Sequence, residues 1–361
     1  MNELDKIRRK IDKIDDEILI LLNRRAENVL DVGALKRMEK GSKKVKFYKP
    51  DRERQILERL TSNNSGPFPN DALKTIYREI LSASLSLEEP LKVSCLGPLA
   101  TFSHLAALRH FGSSADFMPL NSIKEVFEAV ERDEAEYGVV PVENSTEGVV
   151  SSTLDMFIDY DLKVGAEVIL EVSHNLLSKA KERSKVKKIY SIPIATAQCR
   201  QWLETHMRGV PVLEATSTAR AAETALKDGE SAVIASELAA RIYSLNVLEK
   251  NIEDSRHNVT RFLVISKDFP SKTGNDKTSI MFSIKDKPGA LYDILLPLKR
   301  ARINLSKIES RPSKRKAWEY IFFVDMEGHS QDRKVKNAVE ALKDHCLYLK
   351  VLGSYPQGTV Q

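Results

Sequence analysis

The chain has 361 residues, of which 42% are apolar and 30% charged, the balance of an ordinary globular protein with two or three domains. A formal charge of +5, spread over 56 basic and 51 acidic residues, is too scattered to predict nucleic-acid binding. No apolar run approaches the roughly 18 residues that a membrane span needs. The segment MNELDKIRRK lacks an apolar signal region, so we expect a cytoplasmic protein. Three scattered cysteines without metal-ligand spacing are expected to be free thiols, and no metal site is predicted.

Residues 3 to about 88 are predicted to form three helices. An apolar stripe alternates spacings of four and three and predicts one amphipathic helix of about 36 residues. The stripe consists of Ile7, Ile11, Ile14, Ile18 and Leu21. The second helix is predicted from Pro50 to Leu60, and the third from Asp71 to about Leu87. So long a helix in so small a segment favours an oligomer.

Two cations lie on the apolar stripe itself. Arg25 and Lys36 are three turns apart, so they share a face to within roughly 20°. An unpaired buried cation is costly, so an anion is expected to meet them. Spacing alone leaves two interpretations open. One is an internal salt-bridge network with Glu17, Glu53 or Glu79, and the other is an anionic ligand.

From Leu91 the pattern becomes strand, glycine loop and helix, repeated, which predicts an α/β domain with mainly parallel strands. Polar residues follow the strands in four blocks: GPLATFS (97–103), VENSTEG (142–148), SIPIATAQC (191–199) and NVTRF (258–262). Open α/β sheets bind ligands beyond the carboxyl ends of their strands, so these blocks predict a polar site. The alternative for the first block is a simple helix cap.

A final unit of about 85 residues is predicted to follow the order βαββαβ, which is ferredoxin-like. Its KPGALYDIL segment places Gly289 at a strand-to-helix turn, where glycine permits close approach of a ligand to the backbone. Its KIESRP segment ends a strand. Taken alone, both segments also fit ordinary turns that bind no ligand.

The helical segment resembles the all-helical chorismate mutases over about residues 4–88. The resemblance is carried, in order, by KIRRKID, LLNRRAENVLDVGALK, YKPDRERQIL and IYREILSASLSLEE. It implies an entwined helical dimer that rearranges chorismate to prephenate without a nucleophile, by holding a compact conformer and donating to the ether oxygen. The residues implied by this resemblance are Arg8, Arg25, Lys36, Arg52, Glu53, Ser84 and Glu88.

The resemblance also implies a role for each residue of that set. Arg25, together with Arg8 of the other chain, holds the carboxylates, and Ser84 assists one of them. Lys36 donates to the ether oxygen. Glu53 orients the ring hydroxyl with Arg52.

Two positions depart from part of that family. Glu88 stands where some members carry glutamine, so it is expected to need a raised pKa to act as a donor. Lys49 replaces an acid that some members carry, which leaves Glu53 as the main ligand of the hydroxyl.

Residues 91–267 resemble prephenate dehydratases through the four polar blocks and STA (217–219). The resemblance implies two α/β lobes like those of type II periplasmic binding proteins, with a cleft between them and no cofactor. Its first lobe is formed by about 91–170 and 250–267, and its second by about 171–249. Ile192 stands where a histidine is common, and Leu99-Ala100 stands where acid-glycine is common.

The dehydratase resemblance assigns roles as follows. Thr260 is expected to donate a proton to the departing ring hydroxyl of prephenate, and Asn144, Ser191 and Gln198 to orient the substrate. The residues expected to bind the substrate and its carboxylates are Thr101, Ser103, Ser145, Thr146 and Arg261.

The last unit resembles ACT regulatory domains, which pair side by side and bind an amino acid at their interface. The resemblance implies feedback inhibition by L-phenylalanine and an assembly that is a homodimer or a homotetramer. The residues that would sense phenylalanine are Gly289, Ala290, Leu291, Glu309, Ser310, Arg311 and Pro312.

Together the segments predict a multidomain protein: an all-α mutase domain (1–90), a two-lobed α/β dehydratase domain (91–270) and an α+β ferredoxin-like ACT domain (275–361). That is the order of the bifunctional chorismate mutase–prephenate dehydratases of phenylalanine biosynthesis. Two alternatives stay open. One is a monofunctional dehydratase with a non-catalytic helical domain for dimerisation or regulation, and the other is a non-catalytic amino-acid sensor.

Overall fold

The computed structural model describes residues 2–40, 47–255, 257–285, 287–313 and 320–358. The chain divides into two compact units, described separately below. The first comprises Met1–Lys92 with Leu108–Asp116, and the second comprises Val93–Ala107 with Phe117–Gln361. Across the described ranges, no helix combines the length and the apolar character of a membrane span.

Three helices form most of the first unit, which confirms the all-α prediction. Their bounds are α1 (Glu3–Lys40), α2 (Pro50–Asn63) and α3 (Asn70–Glu88). Pro50 begins α2 because its missing N–H needs no partner in the first turn. The apolar stripe of α1 stays open to solvent in the single chain: its five members are between 48% and 58% exposed.

The second unit begins with two mixed sheets, one in each lobe of an α/β domain. The elements of the first stretch are β1 (Lys92–Leu96), α4 (Phe102–Phe111), β2 (Asp116–Leu120), α5 (Ile123–Glu131), β3 (Tyr137–Asn144), β4 (Gly148–Val149), α6 (Ser151–Asp159) and β5 (Lys163–Glu171). The next stretch comprises β6 (Asn175–Ser178), β7 (Lys188–Ser191), α7 (Pro193–Gln198), α8 (Arg200–His206), β8 (Val212–Glu214), α9 (Thr218–Lys227), β9 (Ser231–Ala235), α10 (Glu237–Ile242), β10 (Asn246–Glu249) and β11 (Val259–Ser266).

The strand orders confirm two lobes and correct the expected strand direction. The first sheet runs β2-β1-β3-β11-β5, with β4 on β3, and the second runs β10-β6-β9-β7-β8. The chain therefore leaves the first lobe after β5 and returns to it with β11. Parallel pairs join β1 to β3 and β7 to both β8 and β9. Strand β11 is antiparallel to both of its neighbours, and β6 to both of its own, so the expectation of mainly parallel sheets is wrong.

The last elements confirm the ferredoxin-like order. They are β12 (Asp276–Ile284), α11 (Ala290–Arg300), β13 (Leu305–Pro312), β14 (Tyr320–Glu327), α12 (Arg333–Lys343) and β15 (Cys346–Pro356). The sheet runs β13-β14-β12-β15 with antiparallel neighbours. Its helices pack Ile294, Leu298 and Leu342 onto Ile280 and Phe282.

The other face of this sheet packs against the first lobe. Met281, Phe323 and Tyr355 belong to the same buried core as Phe157 and Leu263 of the α/β domain. Strand β15 approaches β5 so closely that a Cβ on Gly353 would collide with the Val164 carbonyl oxygen. The ferredoxin-like domain is therefore joined to the first lobe by one continuous core.

Candidate active sites

Several predicted residues of the helical unit meet between α1, α2 and α3. Arg25 Nη1 donates to Ser84 Oγ, whose own hydroxyl donates to the Ile80 carbonyl at 2.6 Å. Burial raises the pKa of Glu53 to about 7, although the nearby cations Arg78 and Arg25 oppose that rise. The arrangement combines one protein carboxyl that protonates near neutrality with guanidinium donors.

A second group of this unit lies where α1 and α3 approach. Lys36 Nζ is 3.9 Å from Glu88 Oε1, and the Glu88 side chain is only 4% exposed. Burial raises the pKa of Glu88, as the sequence led us to expect, although Lys36 and Arg37 oppose the rise. Glu88 Oε1 is buried without a hydrogen-bond partner among the described residues. A Cβ on Gly33 would lie 2.7 Å from that oxygen, so glycine makes room for it.

Two other predicted residues lie outside these groups. Arg8 pairs at 4.0 Å with Asp5 one turn away, and its side chain is 67% exposed. Arg52 is exposed on α2. A role of Arg8 in the site of another chain stays a prediction.

The polar blocks of the α/β domain converge where the chain crosses between the lobes. Thr260 on β11 pairs in register with Asn144 on β3. Asn144 Nδ2 donates to Thr260 Oγ1 and to Asn258 Oδ1, both at 2.7 Å. Asn144 Oδ1 accepts from the Thr146 hydroxyl at 2.6 Å and from two backbone N–H groups. Asn144 is therefore held at both ends of its amide, and it fixes the Thr260 hydroxyl.

Gln198 extends this network from the second lobe. Asn258 Nδ2 donates to Gln198 Oε1 at 3.0 Å, and His174 Nε2 lies 2.7 Å from the same oxygen. Gln198 Nε2 donates across the cleft to Glu147 Oε1 at 3.2 Å and to Thr146 Oγ1 at 3.5 Å. The network thus links both lobes.

His174 is a member that the sequence reasoning missed. It is 4% exposed, and burial lowers the pKa of its ring, so the neutral form is favoured. With Nε2–H donating to Gln198, Nδ1 is left as a buried acceptor without a hydrogen-bond partner in the described part of the chain. Asn258, in the NVTRF block, is a second such member, because it bonds to both Asn144 and Gln198. The only sequence signal for His174 and Asn258 is that each is a polar residue in a segment that connects the two lobes.

The remaining predicted hydroxyls are held mainly by backbone groups. Thr101 Oγ1 donates to the Leu96 carbonyl at 3.0 Å and caps α4 by accepting from His104 N at 3.3 Å. Ser103 is 5% exposed in the first turn of α4. Ser191 Oγ donates to the Ile192 carbonyl at 3.1 Å. Ser145 Oγ donates to the His257 carbonyl and accepts from Val259 N. Thr101 therefore caps α4, and its contact with a substrate stays a prediction.

Arg261 has a different environment from the one expected. Its guanidinium donates to Glu167 and Asp325 at 2.6 Å each and to the Tyr355 hydroxyl at 3.0 Å. Successive residues of a strand point to opposite faces, so Arg261 points away from the face that carries Thr260. The geometry contradicts the expectation that Arg261 binds a substrate carboxylate, because its donors are engaged by protein oxygens on the other face of the sheet.

A pocket of about 280 Å³ opens in the ferredoxin-like domain. Its lining includes Gly289, Ala290 and Leu291, as predicted, together with Tyr320 and Phe322. Gly289 has φ +78°, a left-handed conformation that favours glycine. The volume is close to the roughly 300 Å³ at which small-molecule pockets begin.

The second predicted regulatory block is not part of that lining. Glu309, Ser310, Arg311 and Pro312 end β13, an edge strand of the sheet. Arg311 Nη2 instead lies 3.4 Å from Asp155 Oδ1 in α6 of the α/β domain. Within one chain the two predicted regulatory blocks are therefore separate.

Three family models match consecutive parts of the chain: chorismate mutase type II over residues 7–89, prephenate dehydratase over 93–270 and the ACT domain over 278–344. The bifunctional chorismate mutase/prephenate dehydratase of Aquifex aeolicus is 50% identical, with 100% of each chain covered. That of Stutzerimonas stutzeri is 41% identical, with 99% of each covered. The structure of a prephenate dehydratase from Arthrobacter aurescens in complex with L-Phe is 34% identical, with a TM-score of 0.69 over 74% of this chain and 90% of that one.

These relatives match this chain over its full length, and the three family models follow one another in the predicted order. Both activities, chorismate mutase and prephenate dehydratase, follow from those matches. The chain belongs to the bifunctional chorismate mutase/prephenate dehydratase family of phenylalanine biosynthesis.

Proposed function

We propose that the network around Thr260 is the dehydratase site and that the Thr260 hydroxyl hydrogen-bonds to the ring hydroxyl of prephenate as it leaves. One observation carries this assignment: Thr260 Oγ1 accepts from Asn144 at 2.7 Å, and no acceptor for its own hydrogen occurs among the described residues. That hydrogen remains available to a ligand. Asn144 and Gln198 orient the substrate indirectly, through the network that fixes the Thr260 hydroxyl, and Thr101, Ser103, Thr146 and Ser191 supply further polar contacts.

Little more is required of the protein by this chemistry. The bond from the ring to its carboxylate breaks and releases carbon dioxide, and the electron pair of that bond makes the ring aromatic. The bond from the ring to the hydroxyl breaks at the same time, and its own pair leaves on the oxygen. The leaving hydroxide takes a proton and becomes water. A hydrogen-bond donor at that oxygen and a fixed orientation supply the catalysis.

The test compares Thr260→Val, which keeps the shape and removes the hydroxyl, with Thr260→Ser, which keeps the hydroxyl. Thr260→Val should lower kcat with prephenate by roughly 10²–10⁴-fold. Thr260→Ser should retain a large part of the activity. Circular dichroism spectra of the same preparations control for folding of the α/β domain, and mutase activity with chorismate should be unchanged because its site lies in the other unit. Near-normal turnover by Thr260→Val would remove Thr260 from the mechanism.

For the mutase site, we propose that Arg25, Ser84 and Arg8 of a second chain hold the carboxylates of chorismate. Lys36 and protonated Glu88 donate to the ether oxygen, and Glu53 with Arg52 orients the ring hydroxyl. The support is the hydrogen bond from Arg25 to Ser84, the closeness of Lys36 to Glu88 and the raised pKa of Glu88.

An oligomer is part of this proposal, as a homodimer or a homotetramer. A helix of 38 residues with its apolar stripe about half exposed needs a second copy to cover that stripe. Light scattering that gives a monomer at assay concentration would contradict this.

The ACT domain is proposed to bind L-phenylalanine and inhibit the dehydratase. The support is the pocket lined by Gly289, Ala290 and Leu291, together with the ACT match and the L-Phe complex of the Arthrobacter aurescens relative. Glu309, Ser310, Arg311 and Pro312 complete the site from the edge strand when two ACT domains pair.

A further inference from the structure

Strands β3 and β11 of the first lobe direct one face to the dehydratase network and the other face to the ACT domain. On β11 and β3, Thr260 pairs with Asn144 and Arg261 pairs with Glu143. The first pair joins the network of the dehydratase site. The second pair, one residue away on each strand, bonds to the ACT domain. Thr260, which carries the reacting hydroxyl, is therefore joined by one peptide bond to Arg261, which makes the domain contact.

Arg261 is the centre of that contact. Its side chain is 13% exposed, and its guanidinium bonds to Glu167 of the first lobe and to Asp325 and Tyr355 of the ACT domain. Ser279 lies between the last two, 2.5 Å from Asp325 Oδ1 and 2.6 Å from the Tyr355 hydroxyl. The Arg261 guanidinium is thus fixed on several sides by buried groups.

The remaining charges form one balanced set around Arg261. Lys277 Nζ lies 2.9 Å from Glu167 Oε1, and Lys307 Nζ lies 2.8 Å from Glu143 Oε2. The three cations of this set, Arg261, Lys277 and Lys307, face the three carboxylates Glu143, Glu167 and Asp325. We call these six residues the Arg261 cluster. Removing one charge from a buried set leaves another uncompensated, so the set is expected to hold one geometry firmly.

The cluster reaches the regulatory strand directly. Lys307 lies on β13, two residues before the block 309–312, and its partner Glu143 directly precedes Asn144. A cavity of about 20 Å³ borders Arg261, Asp325 and Lys307. The charged groups are therefore not close-packed on every side.

We propose that Arg261 is a positioning residue through which the ACT domain sets the placement of the Thr260 hydroxyl. Dehydratase turnover then depends on ACT side chains that do not touch the substrate. The reason is geometric: Arg261 and Thr260 share a peptide unit, and a misplacement of about 1 Å at a reacting group can cost about 100-fold in rate. The proposal has a second part, which rests on the proposed feedback function: bound phenylalanine changes dehydratase turnover through the contact of Lys307 with Glu143.

The experiment uses the full-length protein with Asp325→Asn and Lys307→Met as test variants and Lys350→Met as the matched control. Lys350 lies on β15 and also joins the ACT domain to the first lobe, with Nζ 2.8 Å from the Tyr160 carbonyl oxygen and 3.1 Å from Asp161 Oδ1. Its side chain is 13% exposed, like that of Arg261, but its partners are not on β11 or β3. Lys350→Met therefore removes a domain contact of similar burial without touching the strands of the site.

For Asp325→Asn we expect kcat with prephenate to fall about tenfold or more, with KM changed less than about twofold. Lys307→Met should lower kcat less and should raise the phenylalanine concentration that gives half-inhibition. Lys350→Met should leave kcat near that of the unchanged protein. The far- and near-UV circular dichroism spectra should be the same in all four proteins, which would show that a loss of dehydratase activity is not a loss of folding of the second unit.

Two results would overturn the proposal. In the first, Asp325→Asn and Lys307→Met both keep the original kcat. In the second, Lys350→Met lowers kcat as much as they do, which would indicate domain docking in general. If Asp325→Asn does not fold, Lys307→Met decides, because its partner Glu143 is 38% exposed and tolerates the loss better. If the unchanged protein ignores phenylalanine, the feedback function fails, while the comparison of kcat still decides on positioning.

Discussion

The burial of Glu88 favours the protonated carboxyl that the proposed mutase mechanism needs. The carboxyl is 4% exposed, its pKa is raised by burial, and Oε1 has no hydrogen-bond partner among the described residues. Gly33 leaves the space in which that oxygen lies. A protonated carboxyl can donate to an ether oxygen and a carboxylate cannot. The same burial that makes ionisation unfavourable therefore produces the donor.

We expect mutase activity to fall as pH rises through the pKa of Glu88, because the donating proton is present only below that pKa. Glu88→Gln donates at every pH, so its mutase activity relative to that of the unchanged protein should rise with pH. Taking this ratio cancels the titration of Glu53, which both proteins retain. Dehydratase profiles of the two proteins should coincide and serve as the control. A ratio that is constant from mildly acid to alkaline pH would show that Glu88 donates no catalytic proton.

The limits of sequence reasoning at this scale are visible in Arg261 and His174. The block around Thr260 was found from its sequence, but the direction of its neighbour was not. The dehydratase resemblance implied that Arg261 meets the substrate, whereas its carboxylate partners are Glu167 and Asp325. His174 is joined to Gln198 only by folding. Long-range partners of this kind leave no local pattern in a sequence.

At the scale of elements, β15 fits against β5 only because residue 353 has no side chain. A Cβ there would lie 2.9 Å from Val164 N and would collide with the carbonyl oxygen of the same residue. Both atoms belong to backbone and cannot move aside as a flexible side chain would.

Gly353→Ala should therefore lower the free energy of unfolding by about 1–3 kcal/mol, the usual cost of overpacking. Gly229→Ala is the matched control, because its Cβ would meet nothing within 4 Å, and it should stay within about 0.5 kcal/mol of the unchanged protein. Denaturant unfolding monitored on the full chain measures both. Equal stability of the two variants would mean that β15 and β5 can separate without cost.

Elements with local signals were predicted well, and those with distant partners were not. The 3.6-residue period located α1, α2 and α3 to within a few residues, and the βαββαβ order followed from alternating short segments. The dehydratase resemblance implied that residues 250–267 return to the first lobe, but the way in which β11 pairs there was not predicted. It returns from the second lobe and inserts between β3 and β5, antiparallel to both. Nothing within 259–266 encodes that insertion, because it depends on the path of about 90 residues before it.

At the scale of the whole chain, the regulatory proposal predicts a response to L-phenylalanine. The amino acid should inhibit turnover of prephenate, because it binds the pocket of about 280 Å³ at Gly289 and stabilises one packing of paired ACT domains. Gly289→Ala should raise the concentration for half-inhibition by about tenfold, because alanine resists the left-handed turn that lines the pocket.

Initial rates with prephenate across a phenylalanine titration measure this response, and binding by calorimetry gives the affinity independently. The variant should keep its rate in the absence of phenylalanine. Kinetics of the unchanged protein that do not respond to saturating phenylalanine would contradict the regulatory function.

The two-faced pairing of β11 with β3 has a consequence for insertions and deletions. A slip of one residue in this pairing would turn every side chain of β11 to the opposite side. The Arg261 guanidinium would then lie among the amides of Asn144 and Asn258. The Thr260 hydroxyl would lie opposite Glu167 and Asp325. Loss or gain of a single codon just upstream of Val259 should therefore abolish dehydration and loosen the ACT domain in one step, whereas the same change in the exposed loop around Gly229 should be tolerated.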